Sequence, residues 1–169
     1  YYTFDLGYTC KKASFSNVEE IALVKGAKEI DSALLEKLKG LLTVFGNGKI
    51  NLNTASPEVI DILINATAAK LVKSGVKINI PPDTLRERII QSRSTSNFIG
   101  TNLVSMLNLS GVADGDLINI CNNFTGLIDI KSQNFLVRST VNISNGGLNR
   151  GIACVYDRSI NKIVFWHEN

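Results

Sequence analysis

Histidine is nearly missing from this chain of 169 residues; His167 is the single copy. A nucleophilic triad needs a positioned base, and His167 stands beside Trp166 near the end of the sequence, where a surface side chain is expected. Cysteine is scarce too. Cys10, Cys121 and Cys154 are far apart, so no Cys-x-x-Cys pair exists to hold structural zinc. Two of the three could pair in an oxidising compartment, or all three could be buried thiols; the count does not decide between these. Phosphate-binding glycine loops, G-x-S-x-G and H-E-x-x-H are all lacking. No pair of carboxylates has a spacing that marks general acid and base. An enzyme is therefore not expected, and no catalytic residue is assigned.

Long apolar runs are also lacking. None approaches the roughly 20 residues that span a bilayer, and there is no basic-plus-apolar leader. The chain begins at Tyr1, which suggests a soluble fragment of a longer protein. Charge of one sign is lacking as well. Eighteen basic and 15 acidic residues leave +3, too little to imply nucleic acid by itself.

What remains is a chain with 44% hydrophobic residues, enough to bury a core. Its best-marked stretch runs from Gly48 to Ile60. Ile50 and Leu52 alternate with Asn51 and Asn53 in an extended entry, and a helix then starts abruptly. Ser56 is the expected N-cap, Pro57 fits the first helical position, and Glu58 suits the positive end of the helix dipole. That helix carries Val59, Ile60, Leu63 and Ile64 and runs toward Leu71 and Val72, before Gly75.

Upstream, Ser16-Asn17-Val18-Glu19 has the pattern of a capping box opening a short helix stopped at Gly26. Asp31 is the expected cap of a second helix to Leu41, with Leu34, Leu35, Leu38, Leu41 and Leu42 as an apolar stripe. Gly46-Asn47-Gly48 breaks the chain. Downstream, Val76 to Ile80 reads as extended. Asp83 caps a helix with Leu85, Ile89 and Ile90 inward. A helical run is expected from Phe98 to Leu109, closed by Gly111. Asp114-Gly115-Asp116 resembles a calcium loop in its first residues but lacks the further ligands, so a plain turn is expected.

The pattern changes after Gly126. Phe135, Val137, Ser139, Val141 and Ile143 alternate with Leu136, Arg138, Thr140 and Asn142, as in a half-buried strand. Asn145-Gly146-Gly147 marks a turn, Gly151 to Tyr156 a second strand, and Ile163 to Trp166 a third. The expected organisation is a lead-in over 1–14, a helical domain over 15–126 and strands over 127–169. Helices first and strands after argue for an α+β fold ending in a small antiparallel β-meander.

Two resemblances bear on function. Asn53-Thr54-Ala55-Ser56, the helix after it, and Leu85 to Arg93 with Phe98 are similar to the helix-hairpin-helix domain of competence DNA receptors. There, glycine-rich hairpin amides hold phosphate. Here the corresponding space, Asn65 to Pro82, has only Gly75 and ends in two prolines, so its Lys70, Lys73 and Lys77 read as solvated. DNA binding is the alternative function.

A second resemblance covers roughly residues 15 to 168. Phe15-Ser16-Asn17-Val18-Glu19-Glu20-Ile21-Ala22-Leu23-Val24-Lys25-Gly26 and Leu42-Thr43-Val44-Phe45-Gly46-Asn47-Gly48-Lys49-Ile50-Asn51-Leu52-Asn53-Thr54-Ala55 resemble two ordered motifs of the type II secretion minor pseudopilin K family. Phe135 to Val137 and Ile163 to Glu168 resemble its last strands. The resemblance implies a non-enzymatic tip subunit of the secretion pseudopilus with sterile-alpha-motif-like helical units and a pilin-type sheet. It implies minor pseudopilins I and J as partners, with secreted substrate or the outer-membrane channel as further contacts. It also implies an apolar N-terminal anchoring helix in the parent protein, on the periplasmic side of the bacterial inner membrane. Some relatives bind calcium, but no ligand maps onto this sequence by motif, and metal residues stay unassigned. In such an envelope setting, a Cys121–Cys154 disulfide is the expected pairing. On this reading the Gly48–Ile60 stretch is structural: its asparagines bond backbone, and Ile50 and Leu52 plug the helical core.

Overall fold

The computed structural model describes residues 11–27, 30–79, 81–143 and 148–168. The chain divides into two compact units, 1–46 and 47–169, with the boundary inside the stretch expected to be one helical domain. The lead-in up to Cys10 and the Asn145-Gly146-Gly147 turn lie outside the described residues.

In the first unit a short 3-10 helix spans Val18–Leu23. Its cap is shifted by one from the expected Ser16–Glu19 box. The Asn17 side chain accepts from the Glu20 amide at 3.1 Å, and the Glu20 carboxylate accepts from the Ser16 amide at 3.2 Å. Asparagine is as good a cap as serine, and here it stands one position nearer the first turn. Gly26 has φ of 91°, the left-handed stop that glycine permits. Helix α1 covers Ser32–Leu41, with the Asp31 side chain accepting from the Leu34 amide at 2.7 Å, as expected. Lys39 ties the two elements together, lying 3.1 Å from Glu19 and 2.8 Å from Glu36. The leucine stripe of α1 is not a core here: no residue of the helix is buried.

The second unit begins with strand β1, Ile50–Asn51, after Gly48 at φ of 76°. Helix α2 follows over Pro57–Lys73, and α3 over Pro82–Thr95. Asp83 is not the cap of α3. Pro81 holds that position and Pro82 opens the helix, because two fixed φ angles already suit a first turn that needs no amide donors. Asp83 instead lies 3.4 Å from Arg86, within the first turn. The expected run from Phe98 to Leu109 shrinks to α4, Leu103–Met106. Asn108 at φ of 51° and Gly111 at 78° take the chain out of the helix. A 3-10 turn at Val112–Asp114 leads into α5, Gly115–Phe124.

The core of this unit is one cluster. Leu52, Ile60, Ile64, Leu85, Ile89 and Phe124 are completely buried, with Leu103, Leu117 and Ile120 beside them. Strand β2, Ile128–Asp129, returns to pair in parallel with β1, placing Ile128 opposite Ile50. That contact sews the two ends of the helical region together and adds Ile128 to the core.

Strands β3 (Asn134–Ile143), β4 (Leu148–Asp157) and β5 (Lys162–Glu168) form an antiparallel sheet in that order. The fold is α+β, with the meander expected from the sequence. A bulge lies between Val155 and Tyr156 opposite β5.

Candidate functional site

The period-two pattern of β3 does not make it half-buried. Side chains on both of its faces are exposed, including Leu136 at 56% and Val137 at 51%. Alternation puts apolar groups on one side of a strand, but burying them needs a second layer, and the strands pack chiefly on each other. The register places Phe135 opposite Tyr156, Val137 opposite Cys154, and Ser139 opposite Ile152. Cys154 in turn faces Trp166, and Tyr156 faces Ile163. Directly opposed residues share a face. One face of the sheet thus carries Phe135, Val137, Val141, Ile152, Tyr156, Ile163 and Trp166, with Ser139, Arg150 and Glu168 set among them. Among the described residues Cys154, at its centre, is the one buried on this face, and Val155 the one buried on the other. The Arg158 guanidinium lies 5.9 Å from the Phe135 ring centroid at one end of this face, and Arg150 pairs with Val141 toward the other.

The Gly48–Ile60 stretch joins β1 to α2 and binds the segment that leads into the sheet. Ser56 caps α2, its hydroxyl oxygen accepting from the Val59 amide at 3.3 Å. The Glu58 carboxyl is held below its usual value, first by a backbone amide bond within its own residue and then by Ser56. Leu52 is completely buried and Ile50 packs against the same core. The asparagines do more than satisfy their own turn. The Asn53 side-chain oxygen accepts from the Phe98 amide at 2.8 Å, while its nitrogen donates to Phe98 O and Ile130 O, both at 3.1 Å. Asn51 accepts from the Asn53 amide at 3.0 Å and donates to Ser132 Oγ at 2.8 Å. Arg93 binds the same stretch, donating to Leu52 O at 3.0 Å and Ala55 O at 2.6 Å. From the sequence Arg93 stands out only as the end of the Leu85–Arg93 segment similar to the helix-hairpin-helix domain, because its partners lie 38 and 41 positions away.

The connector between α2 and α3 bears on anion binding. The Ser74, Gly75 and Val76 amides donate back to the end of α2, and the Asn79 amide donates to Asp116 Oδ2 at 2.7 Å. Pro81 and Pro82 have no amide to offer. The Asp114-Gly115-Asp116 segment is a helix start. Asp116 is occupied by Asn79, and Asp114 accepts from the Ser110 amide and lies 3.0 Å from Arg88. Among the described residues no cluster of His, Cys, Asp and Glu could hold a metal.

Cys121 and Cys154 are separate buried thiols, not a disulfide, which corrects the expected pairing. The first belongs to the helical cluster and the second to the middle of the sheet, so their packing duties lie in different layers. Burial pushes the Cys121 thiol up to about 12. Cys10 lies outside the described residues. His167 is exposed on β5. An open groove of about 510 Å³ beside α4 is lined by Asn102, Ser105, Asn108, Ser110 and Asn122 with Val104 and Leu109, without an ionisable group.

No helix among the described residues is long and apolar enough to cross a membrane. Compared with protein-family models, curated proteins and solved structures, the chain matches none.

Proposed function

We propose that this chain is the C-terminal part of a minor pseudopilin of the K type, a non-enzymatic tip subunit of the type II secretion pseudopilus. The observation that carries the reading is the terminal antiparallel sheet with an exposed, largely apolar face, following a helical unit entered through the Gly48–Ile60 motif. On this reading the face seats the apolar N-terminal helix of the parent protein. A cluster of exposed aromatic and β-branched side chains is costly to leave in water and reads as an interaction site. The helical unit then corresponds to the sterile-alpha-motif-like part, and the subunit works by shape and surface, at the periplasmic side of the inner membrane. Its partners are minor pseudopilins I and J, with calcium a ligand in some relatives and no residue of this chain assigned to it.

The helix-hairpin-helix alternative draws less support. Its phosphate-binding amides would have to come from the α2–α3 connector, where four are already donated within the chain and two positions are proline.

The test is co-purification of the parent ectodomain with minor pseudopilins I and J. A ternary complex is expected. Its absence, under conditions where I and J bind each other, overturns the proposal.

A further inference from the structure

The sheet is tied to the helical unit at a narrow place. Among the described residues no strand of β3–β5 packs extensively on a helix. The chain crosses from β2 to β3 through Ile130–Gln133, and the contacts on that strap are specific. Asn53 donates to Ile130 O, Asn51 donates to Ser132 Oγ, and the Leu52 amide donates to Asp129 O at 3.1 Å. Asp129 Oδ1 accepts from the Ile130 amide at 2.7 Å, fixing the bend itself. From the sheet side, the Arg158 amide donates to Gln133 O at 2.8 Å. The strap is therefore held at both ends.

We propose that Asn51 and Asn53 form a clasp that fixes the orientation of the sheet on the helical unit. The side-chain chemistry supports one orientation of Asn53. Its oxygen meets an N–H and its nitrogen meets two carbonyls, so three polar groups from two distant segments are satisfied by one amide. Asn53 is anchored in turn by Asn51, and the β1–α2 turn by the Arg93 guanidinium. Removing the Asn53 amide leaves Phe98 and Ile130 carbonyls and the Phe98 amide without their partner, while the buried apolar cluster keeps its own contacts. The loss therefore falls on the strap and the loop before α4 rather than on α2 and α3. With the clasp open, the sheet keeps its ladder and turns about residues 130–133. This deepens the proposed function in one respect, since a subunit acting by shape needs its two parts held at a fixed angle; the clasp itself rests on geometry.

The test is residual dipolar couplings on the whole chain, with Asn53→Ala and Ser132→Ala. In the unsubstituted chain a single alignment tensor fits amides of α2, α3 and β3–β5. In Asn53→Ala the sheet couplings shrink several-fold relative to those of the helices, and amides 130–132 exchange with solvent about tenfold faster. Ser132→Ala keeps the three Asn53 bonds, loses one, and gives an intermediate reduction; it carries the test if Asn53→Ala unfolds the helices. One tensor in every folded variant overturns the clasp, as does a need for two tensors in the unsubstituted chain. No partner protein enters the measurement, so failure of the pseudopilin complex and failure of the clasp are separate results.

Discussion

At the scale of single residues, the Ser56 cap and the Cys121 thiol make distinct predictions. Ser56→Ala removes the acceptor of the Val59 amide and is expected to cost about 1 kcal/mol in chemical denaturation; an unchanged midpoint contradicts the cap. Cys121 is 2% exposed and its thiol is raised to about 12. The native state therefore keeps the proton where the unfolded chain has lost it. Stability from this group is intact below the unfolded value near 9 and declines as pH rises toward 12. Titration of unfolding free energy over that window should show the decline, and iodoacetamide at neutral pH should label Cys121 only after denaturation. Rapid labelling of the native chain contradicts the burial. Local chemistry of this kind is what a sequence states best. Ser56, Pro57 and Asp31 sit where their caps require because a cap involves residues within three positions. Asn53 and Arg93 escape such reading, since their partners are brought near only by the complete fold.

At the scale of elements, the β1–α2 junction is both plug and lid of the helical core. Leu52 is completely buried on the short β1–α2 turn, so Leu52→Ala removes contacts that no neighbour can replace. A loss of about 2–5 kcal/mol is expected in urea unfolding; a loss well under 1 kcal/mol places the core elsewhere. Proline explains where reading by element went astray. Val76–Asn79, expected as an extended segment before Pro81-Pro82, forms no strand, and the fixed φ angles of the prolines open α3 and displace the cap from Asp83. The run from Phe98 to Leu109 has helical spacing, yet Phe98 is taken into the core by the Asn53 clasp and only Leu103–Met106 coils. Tertiary contacts outrank periodicity there. The alternation of β3 names its faces correctly and is silent on whether a second layer exists.

At the scale of the whole molecule, helices and sheet serve different ends. The helical unit closes on its own core, whereas the sheet exposes Phe135, Val137 and Trp166 and needs another surface to cover them. The order of helices and strands was legible in the sequence because each has its own hydrophobic period. The uncovered face was not, because covering is a property of what lies opposite. The same scale separates the two functional readings. With four connector amides donated within the chain and two positions proline, duplex DNA should bind weakly at low salt at most, with a shallow salt dependence; tight binding with a steep slope contradicts the pseudopilin reading.

Trp166, the single tryptophan and 52% exposed on the apolar face, reports directly on the central claim. Acrylamide quenching of its fluorescence is compared in this chain and in the parent ectodomain, with any other tryptophan of the parent replaced by phenylalanine. If the sheet seats the parent's N-terminal helix, quenching is efficient in this chain and falls several-fold in the ectodomain. Equal quenching in both contradicts the account.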